Sequence, residues 1–510
     1  MGHVLSEESD SRASGLLLHI TSLPGRFGIG DLGPEAHEFI ARIAAAGQQY
    51  WQMLPVGPVG SGNSPYSSLS TFAGNPQLIS PDLLLEAGLV DREDLTSIEL
   101  PDGDQVDYAT VFDNKLALLD KAAARFASRA DPAMSERYAV FAATHGGLWL
   151  DDYCLHTALR RAHHGRSWTD WESGLARREA AALVKAMREL EEPVAVTRVI
   201  QFLFFEQWRA LQETARDHGV RLVGDLPLYV AHDSADVWAN PDLFLLDNDG
   251  EPTAVAGVPP DYFTETGQRW GNPIFDWEEI ASRDFAWWRA RVRHALALFD
   301  VLRIDHFRGI AGYWEIPAKE PTAINGRWRT GPAEKLLGAL RDDLGELPIV
   351  AEDLGMITDD VVALREAFAV PGMRVAQFGF DKAPDATIHH PDRYPVNVWA
   401  YTGTHDNNTT KGWFWQDNPR RRVWRLKRQR RSLYRRVEGR IPWGLIEIVA
   451  HSRAKTAVFP VQDILELGAE ARMNIPGIAT GNWQWRLRNG QLTDTALSRL
   501  HDLTRDASRS

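Results

Sequence analysis

Eight short apolar segments, most of them followed by polar or loop-like sequence, recur along this chain and constrain its fold more than any other feature. Most are nearly continuous apolar runs, which is typical of parallel strands buried on both faces. Helix-like stretches such as residues 33–47 and 284–299 separate most of them. Eight alternating strands and helices predict an α/β fold of the (β/α)8 TIM-barrel type. The segments are LLLHIT (16–21), YWQMLPV (50–56), RLVGDLPLYV (221–230), VLRIDHF (301–307), LPIVAED (347–353), RVAQFGF (374–380), VWAYTGTHD (398–406) and AVFPVQD (457–463).

The spacing of these segments is uneven, and two long intervals predict insertions in the barrel. Between the second and third segments the sequence is mostly helix-like, so we expect a helical subdomain over about residues 80–215. Residues 231–283 are rich in Pro, Gly, Asp and Trp and have little periodic pattern. Long loops inside compact domains are usually functional, so we expect a loop-rich insertion that lines the active site. Residues 1–510 as a whole are expected to form one catalytic barrel.

Charge and cysteine content exclude several classes of function. The formal net charge of −13 argues against a nucleic-acid or anionic-membrane partner. The basic run at residues 420–440 is interpreted as an amphipathic helix with a solvated face. A single cysteine, Cys154, allows neither an intramolecular disulfide nor a cysteine metal cluster. Because the N-terminus is polar and the apolar runs are too short to span a membrane, we expect a cytoplasmic protein.

The aromatic content favours a sugar ligand without requiring one. The chain has 19 tryptophans, and 10% of its residues are aromatic. Aromatic rings can cover the apolar faces of sugars, while their polar edges reach hydroxyl groups. Composition alone is equally compatible with a large core that uses tryptophan as filler.

Acidic residues lie at the ends of five predicted strands, which is where barrel enzymes carry their catalytic groups. Carboxylates that converge on one mouth repel one another and lose hydration, which separates their pKa values. Glycoside chemistry needs such a pair, with one ionised carboxylate and one proton donor. The five positions are Asp225, Asp305, Glu352 with Asp353, Asp406, and Asp463.

The stretch VLRIDHFRG (301–309) shows how one of these acids could act. Arg303 and Asp305 are two residues apart, so on a strand they share a face. We expect the guanidinium to lower the pKa of Asp305 and keep it charged, as a nucleophile requires. His306 points the other way unless the strand has ended, in which case it could reach substrate hydroxyls. Taken alone, the pair is equally typical of an ordinary ion pair at a strand end.

The other acids also have two interpretations each. Glu352 could be a general acid and base or a surface residue, and Asp353 would face the opposite side and be structural. Asp406, with His405 beside it, could stabilise a transition state or form a turn. Asp225 could bind a sugar or fix the turn before Pro227.

Several long motifs, in this order, resemble those of the amylomaltases, which are 4-α-glucanotransferases of glycoside hydrolase family 77 in the α-amylase clan. The resemblance extends over residues 14–486. It implies a barrel enzyme that moves α-1,4-glucan segments from a donor to a glucose or maltooligosaccharide acceptor. It also implies retention through a covalent glucosyl-enzyme. The motifs lie at residues 14–33, 51–84, 224–244, 255–273, 303–309 (RIDHFRG), 351–355 (AEDLG), 401–413 (YTGTHDNNTTKGW), 460–477 and 482–486 (NWQWR).

The resemblance also implies a role for individual residues. Asp305 matches the nucleophile, Glu352 the acid/base, and Asp406 the third carboxylate, which binds the donor sugar and stabilises the transition state. No cofactor and no metal are expected, since the sequence lacks a His-x-His at the first strand and a compact acidic calcium loop. The residues that match substrate-binding positions are Tyr66, Asp225, Arg303, His306 and His405 on the donor side, and Asp261, Gln268 and Trp270 in the loop on the acceptor side.

Three other functions are compatible with the same residues. The nearest is an α-glucan hydrolase of the same clan, with water as the acceptor. The others are a non-catalytic glucan-binding protein on a barrel scaffold and a metal-dependent barrel hydrolase. A retaining mechanism predicts that the carboxyl groups of Asp305 and Glu352 lie about 5–5.5 Å apart.

Overall fold

The eight predicted segments supply the strands of one closed parallel barrel in a computed structural model, which describes residues 12–260, 264–380, 384–416, 433 and 435–510. From the N-terminus the strands are β1 (Ala13–Leu17), β2 (Tyr50–Gln52), β3 (Arg221–Leu226), β4 (Ala254–Val258), β5 (Gln268–Pro273), β6 (Val301–Ile304), β7 (Gly312–Pro317), β8 (Arg327–Thr330), β9 (Ile349–Ala351), β10 (Gly372–Val375), β11 (Val398–Tyr401) and β12 (Thr456–Pro460). The barrel order is β1-β2-β3-β6-β9-β10-β11-β12, with β12 paired back to β1. The predicted TIM barrel is therefore confirmed.

The strands end earlier than their apolar patterns predict. Strand β10 passes into a 3-10 helix at Ala376–Phe380, and β12 passes into a helix at Val461–Ile464. Asp305, Glu352 and Asp406 likewise follow the ends of β6, β9 and β11. The polar residues at these ends therefore lie in connections at the barrel mouth, where the backbone is free to turn their side chains toward a common point.

Helices surround the barrel. The interval between β2 and β3, where a helical insertion was expected, contains α2 to α9. In α9, most of the apolar side chains are buried. The helices are α1 (Pro34–Ala45), α2 (Pro81–Glu86), α3 (Arg92–Thr96), α4 (Tyr108–Arg129), α5 (Pro132–His145), α6 (Asp151–Ala162), α7 (Ser173–Ala176), α8 (Ala180–Glu189), α9 (Glu191–Asp217), α10 (Ala235–Ala239), α11 (Trp277–Ser282), α12 (Ala286–Leu298), α13 (Arg308–Ala311), α14 (Ala333–Leu344), α15 (Asp359–Ala367), α16 (Thr410–Trp415), α17 (Trp443–Ala450), α18 (Val461–Ile464) and α19 (Asp494–Asp506).

Residues 231–283 contain more regular structure than their composition predicts. Strands β4 and β5 lie in this interval and join β7 and β8 in a second sheet of order β5-β4-β7-β8, with antiparallel pairing. The pairing partners β7 and β8 lie outside the interval, so no local pattern in the sequence indicates them.

Two further predictions concern the amphipathic helix of the basic run and the lack of a membrane-spanning segment. Most of the basic run at 420–440 lies outside the described residues, although Leu433 and Val437 are buried. Within the described ranges, no helix has the length and apolar character needed to cross a membrane.

Candidate active site

Arg303 joins two carboxylates at the barrel mouth. Asp225 and Arg303 are register partners on the paired strands β3 and β6. The Nη1 atom of Arg303 donates to both carboxylate oxygens of Asp225 at 2.7 Å, and its Nη2 atom lies 3.0 Å from Oδ1 of Asp305. The side chains of Arg303 and Asp225 are buried, whereas that of Asp305 is 30% exposed. The guanidinium of Arg303 therefore forms ion pairs with a buried carboxylate, that of Asp225, and with a partly exposed one, that of Asp305.

Glu352 lies at the next strand end and is held by two backbone amides. Its Oε2 atom accepts a hydrogen bond from the N–H of His306 at 2.8 Å, and its Oε1 atom accepts one from the N–H of Leu354 at 2.9 Å. His306 has φ = 51°, in the left-handed region that few non-glycine residues adopt. The N–H that donates to Glu352 thus belongs to a strained residue directly after Asp305. This hydrogen bond fixes the position of Glu352 relative to the turn that carries Asp305.

Asp406 completes the set, on the loop after β11. Its Oδ1 atom accepts a hydrogen bond from Nδ2 of Asn474 at 2.6 Å, and its Oδ2 atom lies 3.4 Å from Nε2 of His405. Arg472 donates to the Asp406 carbonyl at 2.7 Å. The side chain of Asp406 is 45% exposed. Asn474 was not singled out from the sequence, although it lies in the motif at 460–477.

Aromatic rings form a wall beside these acids. The hydroxyl of Tyr66 donates to Oδ2 of Asp225 at 2.7 Å and lies 2.9 Å from Nε2 of His405. The Tyr66 and His405 rings stack at 5.3 Å, and the ring of Trp483 lies 5.9 Å from Tyr66 and 6.0 Å from His405. Trp483 belongs to the NWQWR motif and was also not predicted as a site residue. The wall offers a flat, partly polar surface of the kind that sugar rings contact.

The electrostatics correct one expectation about Asp305. Burial, followed by the charges of Asp225, Glu352 and Asp406, raises the pKa of Asp305 to about 8 despite the opposing effect of Arg303. Arg303 lowers this pKa, as expected, but burial and the three neighbouring carboxylates outweigh it, so the expectation that Asp305 stays charged is not met. Burial also raises the pKa of Glu352, again against Arg303. Both shifts favour the protonated acids, and we infer that a proton is shared between the carboxyl groups of Asp305 and Glu352.

His306, directly after Asp305, and Trp270 form a second aromatic contact near these acids. Their rings meet edge to face at 4.8 Å, and the indole N–H of Trp270 donates to Oε1 of Gln268 at 3.0 Å. Burial, followed by the charge of Arg308, lowers the pKa of His306 to about 3, so its ring is neutral. Its buried Nε2 atom has no hydrogen-bond partner in the described part of the chain. Asp261, predicted in the same loop, lies outside the described residues.

Two of the strand-end acids do not face the mouth. Asp353, as expected, is structural: it accepts from the N–H of Met373 at 2.6 Å and pairs with Arg365 and Arg374. Asp463 is a correction, because it is buried where β12 passes into α18. It accepts hydrogen bonds of 2.7 Å from the hydroxyl of Thr402 and from the N–H and hydroxyl of Thr410.

Among the described residues, no group of three or more His, Cys, Asp or Glu side chains is arranged to hold a metal ion.

Comparison with known proteins gives consistent matches over nearly the whole chain. A family model described as 4-alpha-glucanotransferase matches residues 18–493. A 4-alpha-glucanotransferase of Thermus thermophilus is 47% identical over 98% of this chain and 99% of its own length. One from Synechocystis is 44% identical over 97% of each chain. The solved amylomaltase of Streptococcus agalactiae in complex with acarbose superposes with a TM-score of 0.91 at 35% identity, covering 98% of this chain and all of the other.

Proposed function

The chain belongs to the 4-alpha-glucanotransferase family, glycoside hydrolase family 77, and we propose that Asp305, Glu352 and Asp406 carry the transfer reaction of this family. It is a transferase that acts on α-1,4-glucan donors and acceptors. The observation that carries the assignment of residues is the convergence of Glu352 and Asp406 on Asp305, from the ends of β6, β9 and β11. Stacked and edge-to-face ring contacts that include neighbours of these acids provide aromatic surfaces that suit a sugar.

The first half of the reaction needs a nucleophile and a proton donor. A carboxylate oxygen of Asp305 attacks the anomeric carbon while Glu352 donates its proton to the leaving glycosidic oxygen. The bond from C1 to that oxygen breaks, an ester between C1 and Asp305 forms, and the shortened glucan leaves. The proton shared by Asp305 and Glu352 supports this division of roles, because one acid can be ionised while the other is protonated.

The second half reverses these bonds with a new acceptor. Glu352, now ionised, takes the proton of an acceptor 4-hydroxyl while the hydroxyl oxygen attacks C1, and the ester to Asp305 breaks. Two inversions at C1 give net retention. The two backbone N–H groups on Glu352 support this step, since they stabilise its carboxylate form.

The remaining predicted residues are assigned to substrate binding. Asp406 and His405 contact the donor sugar, Tyr66 contributes a ring and a hydroxyl, and Arg303 orients Asp305. Asp225 acts mainly by holding Arg303 and Tyr66, because its side chain has no exposed area.

Transfer must compete with hydrolysis by water. We assign this selectivity to the acceptor side, where Gln268 and Trp270 hold the incoming sugar in attack geometry and reduce the access of water. Asp261 is proposed to contribute from the same loop. The acceptor is glucose or a maltooligosaccharide.

The products formed from maltotriose test the reaction, and rescue of variants by azide tests the roles of Glu352 and Asp305. The native enzyme is expected to convert maltotriose into glucose and longer oligosaccharides, whereas a hydrolase of the same clan would give only maltose and glucose. Glu352→Ala should lose at least about 10²-fold in kcat on maltotriose, the contribution of a general acid. With α-glucosyl fluoride, whose leaving group needs no proton, azide should restore turnover of Glu352→Ala and give the α-azide.

The stereochemistry of the azide product separates the two acids. Asp305→Ala should give only the β-azide, since a single displacement inverts C1. The exposed acid variant Asp249→Ala serves as the matched control and should behave as the native enzyme. A β-azide from Glu352→Ala, or an α-azide from Asp305→Ala, would overturn the assignment.

A further inference from the structure

Trp483, the second residue of the NWQWR motif, has a backbone conformation that a bulky residue rarely adopts. Its φ is 67°, in the left-handed region, where the side chain of a non-glycine residue crowds its own backbone. Such a conformation persists only where the surrounding structure holds it, and it is concentrated at functional sites. The residue is also buried, so the contacts that hold it come from the protein itself.

Two hydrogen bonds fix the backbone of Trp483. Its N–H donates to the carbonyl of Met473 at 2.7 Å, and its carbonyl accepts from the hydroxyl of Tyr108 at 2.8 Å. Met473 directly precedes Asn474, which donates to the carboxylate of Asp406. Tyr108 is the first residue of α4, in the helical insertion. The strained residue is therefore held between an active-site loop and the insertion.

Backbone pairing next to these hydrogen bonds joins the same two parts of the chain. The N–H of Val106 donates to the carbonyl of Gln484 at 2.7 Å, and the N–H of Arg486 donates to the carbonyl of Asp104 at 3.0 Å. The side chain of Arg486 is buried and donates to the carbonyl of Gly103 at 2.9 Å. The NWQWR motif is thus attached to the segment that leads into α4.

The ring of Trp483 contacts two rings of the donor side. Its centroid lies 5.9 Å from that of Tyr66 and 6.0 Å from that of His405. The hydroxyl of Tyr66 in turn donates to Asp225, and the ring of His405 lies beside Asp406. Because Trp483 is only 6% exposed, it supports these two rings and offers little surface of its own to a sugar.

We propose that Trp483 is a positioning residue for Tyr66 and His405, and that the helical insertion holds it in place through Tyr108. This rests on the proposed function, in which Tyr66 and His405 contact the donor sugar. It assigns the insertion a part in donor binding, although none of the proposed site residues lies within it.

A purely structural role accounts for these contacts less well. Glycine adopts the left-handed conformation without crowding, so it would make the same turn without strain. A glycine at position 483 would, however, leave no ring beside Tyr66 and His405. The strained backbone is thus explained by the ring that it carries.

A double-mutant cycle tests the proposal, with kcat/KM for maltotriose measured well below the melting temperature of each variant. Trp483→Leu should lower kcat/KM by about tenfold or more, the effect of displaced substrate-positioning groups. Trp483→Phe keeps a ring and should recover most of this loss. Tyr108→Phe should lower kcat/KM roughly fivefold, which corresponds to one hydrogen bond. In the Trp483→Leu background it should have almost no further effect, because the ring through which Tyr108 acts is absent.

Tyr394→Phe is the matched control, because it also removes a buried tyrosine hydroxyl that donates to a backbone carbonyl, that of His389 at 3.0 Å. It should lower the melting temperature and keep the native kcat/KM. A native kcat/KM in Tyr108→Phe would overturn the proposal, and so would an equal fall in both backgrounds of the cycle. A native kcat/KM in Trp483→Leu would overturn it as well.

Two further outcomes are distinguishable from these. If Trp483→Leu does not fold, the comparison of Tyr108→Phe with Tyr394→Phe decides alone, since both variants keep the tryptophan. Failure of the proposed function gives a different result, namely that the native enzyme forms no longer oligosaccharides from maltotriose.

Discussion

Two neighbouring groups of carboxylates, one at the barrel mouth and one behind it, differ in how their charge is balanced. At the mouth, Asp225, Glu352 and Asp406 lie close enough to Asp305 to raise its pKa, and the guanidinium of Arg303 is divided between Asp225 and Asp305. Behind it, Asp353 alone has two guanidiniums, those of Arg365 and Arg374, and a backbone N–H.

Glu352 and Asp353 are adjacent in the chain, yet Glu352 belongs to the mouth and Asp353 lies behind it. The two groups therefore separate at consecutive residues directly after β9. The charge of buried Asp353 is more than balanced by its two guanidiniums, and this cluster stabilises the fold. The mouth keeps an excess of negative charge that retains a proton, and a site that must donate and accept a proton needs such an excess.

Removing a mouth carboxylate should therefore separate activity from stability, with the largest effect at Asp305. Asp305→Asn keeps the shape of the side chain but cannot form the ester, so kcat should fall by on the order of 10⁴-fold or more. Its stability should rise with pH relative to the native enzyme. The pKa of Asp305 is about 8 in the folded state against an ordinary 3.8, so the native free energy of unfolding falls as pH rises between these values.

Thermal melting at two pH values checks this expectation. The melting temperature of Asp305→Asn minus that of the native enzyme should be larger at pH 8 than at pH 5, by about 2 °C. If Asp305→Asn melts below the native enzyme at pH 8, the carboxylates at the mouth do not destabilise the fold. The contrast with Asp353 would then be lost.

Substitution of Asp353 should have the opposite outcome to substitution of Asp305. The effect is smaller, and it lowers stability while activity is largely kept. Asp353→Asn leaves two buried guanidiniums without their carboxylate, and breaking a buried ion pair costs about 3 kcal/mol or more. The midpoint of urea unfolding should fall accordingly, while kcat/KM for maltotriose, measured well below the melting temperature, stays within about tenfold of the native value. A loss of activity as large as that of Asp305→Asn, at native stability, would place Asp353 in the mouth group instead.

The barrel, and the position of the proposed catalytic acids at its rim, could be predicted from sequence because both follow from local pattern. Apolar runs indicate the buried strands, and the acids directly after them lie at one rim of any parallel barrel. The same reasoning could not separate Asp463 from Asp406. Both follow a strand, but α18 begins directly after β12 and turns Asp463 into the interior, where three hydrogen bonds hold it.

Residues that reach the site from elsewhere had no comparable signal. Asn474 and Trp483 follow the last strand and enter the mouth through loops, so no spacing relates them to Asp406 or Tyr66. The pKa of Asp305 also escaped prediction. The sequence shows that Arg303 lies two residues away, but the burial of Asp305 and the three carboxylates near it, which together outweigh Arg303, are visible only in the fold.

Asp225 and Asp305 both contact Arg303, and this competition gives the smallest expected effect. The effect is a shift in the pH dependence of kcat/KM. The charge of Asp225 raises the pKa of Asp305, and Asp225 also engages the guanidinium that would lower it. Asp225→Asn removes the charge and keeps an oxygen for Arg303, so the shared proton should be lost at lower pH. Because cleavage needs this proton, the alkaline limb of kcat/KM against pH should move down by about one unit.

Tyr66→Phe is the matched control for this shift, since it removes the hydroxyl contact to Asp225 and leaves the charge in place. Its kcat/KM should fall, but its alkaline limb should stay at the native pH. If the limb of Asp225→Asn also stays in place, the charge of Asp225 does not reach the coupled pair, and the proton is held by burial of Asp305 and Glu352 alone. A limb that moves upward would mean that Asp225 helps Arg303 to hold Asp305 ionised, so that the two carboxylates at the guanidinium cooperate and do not compete.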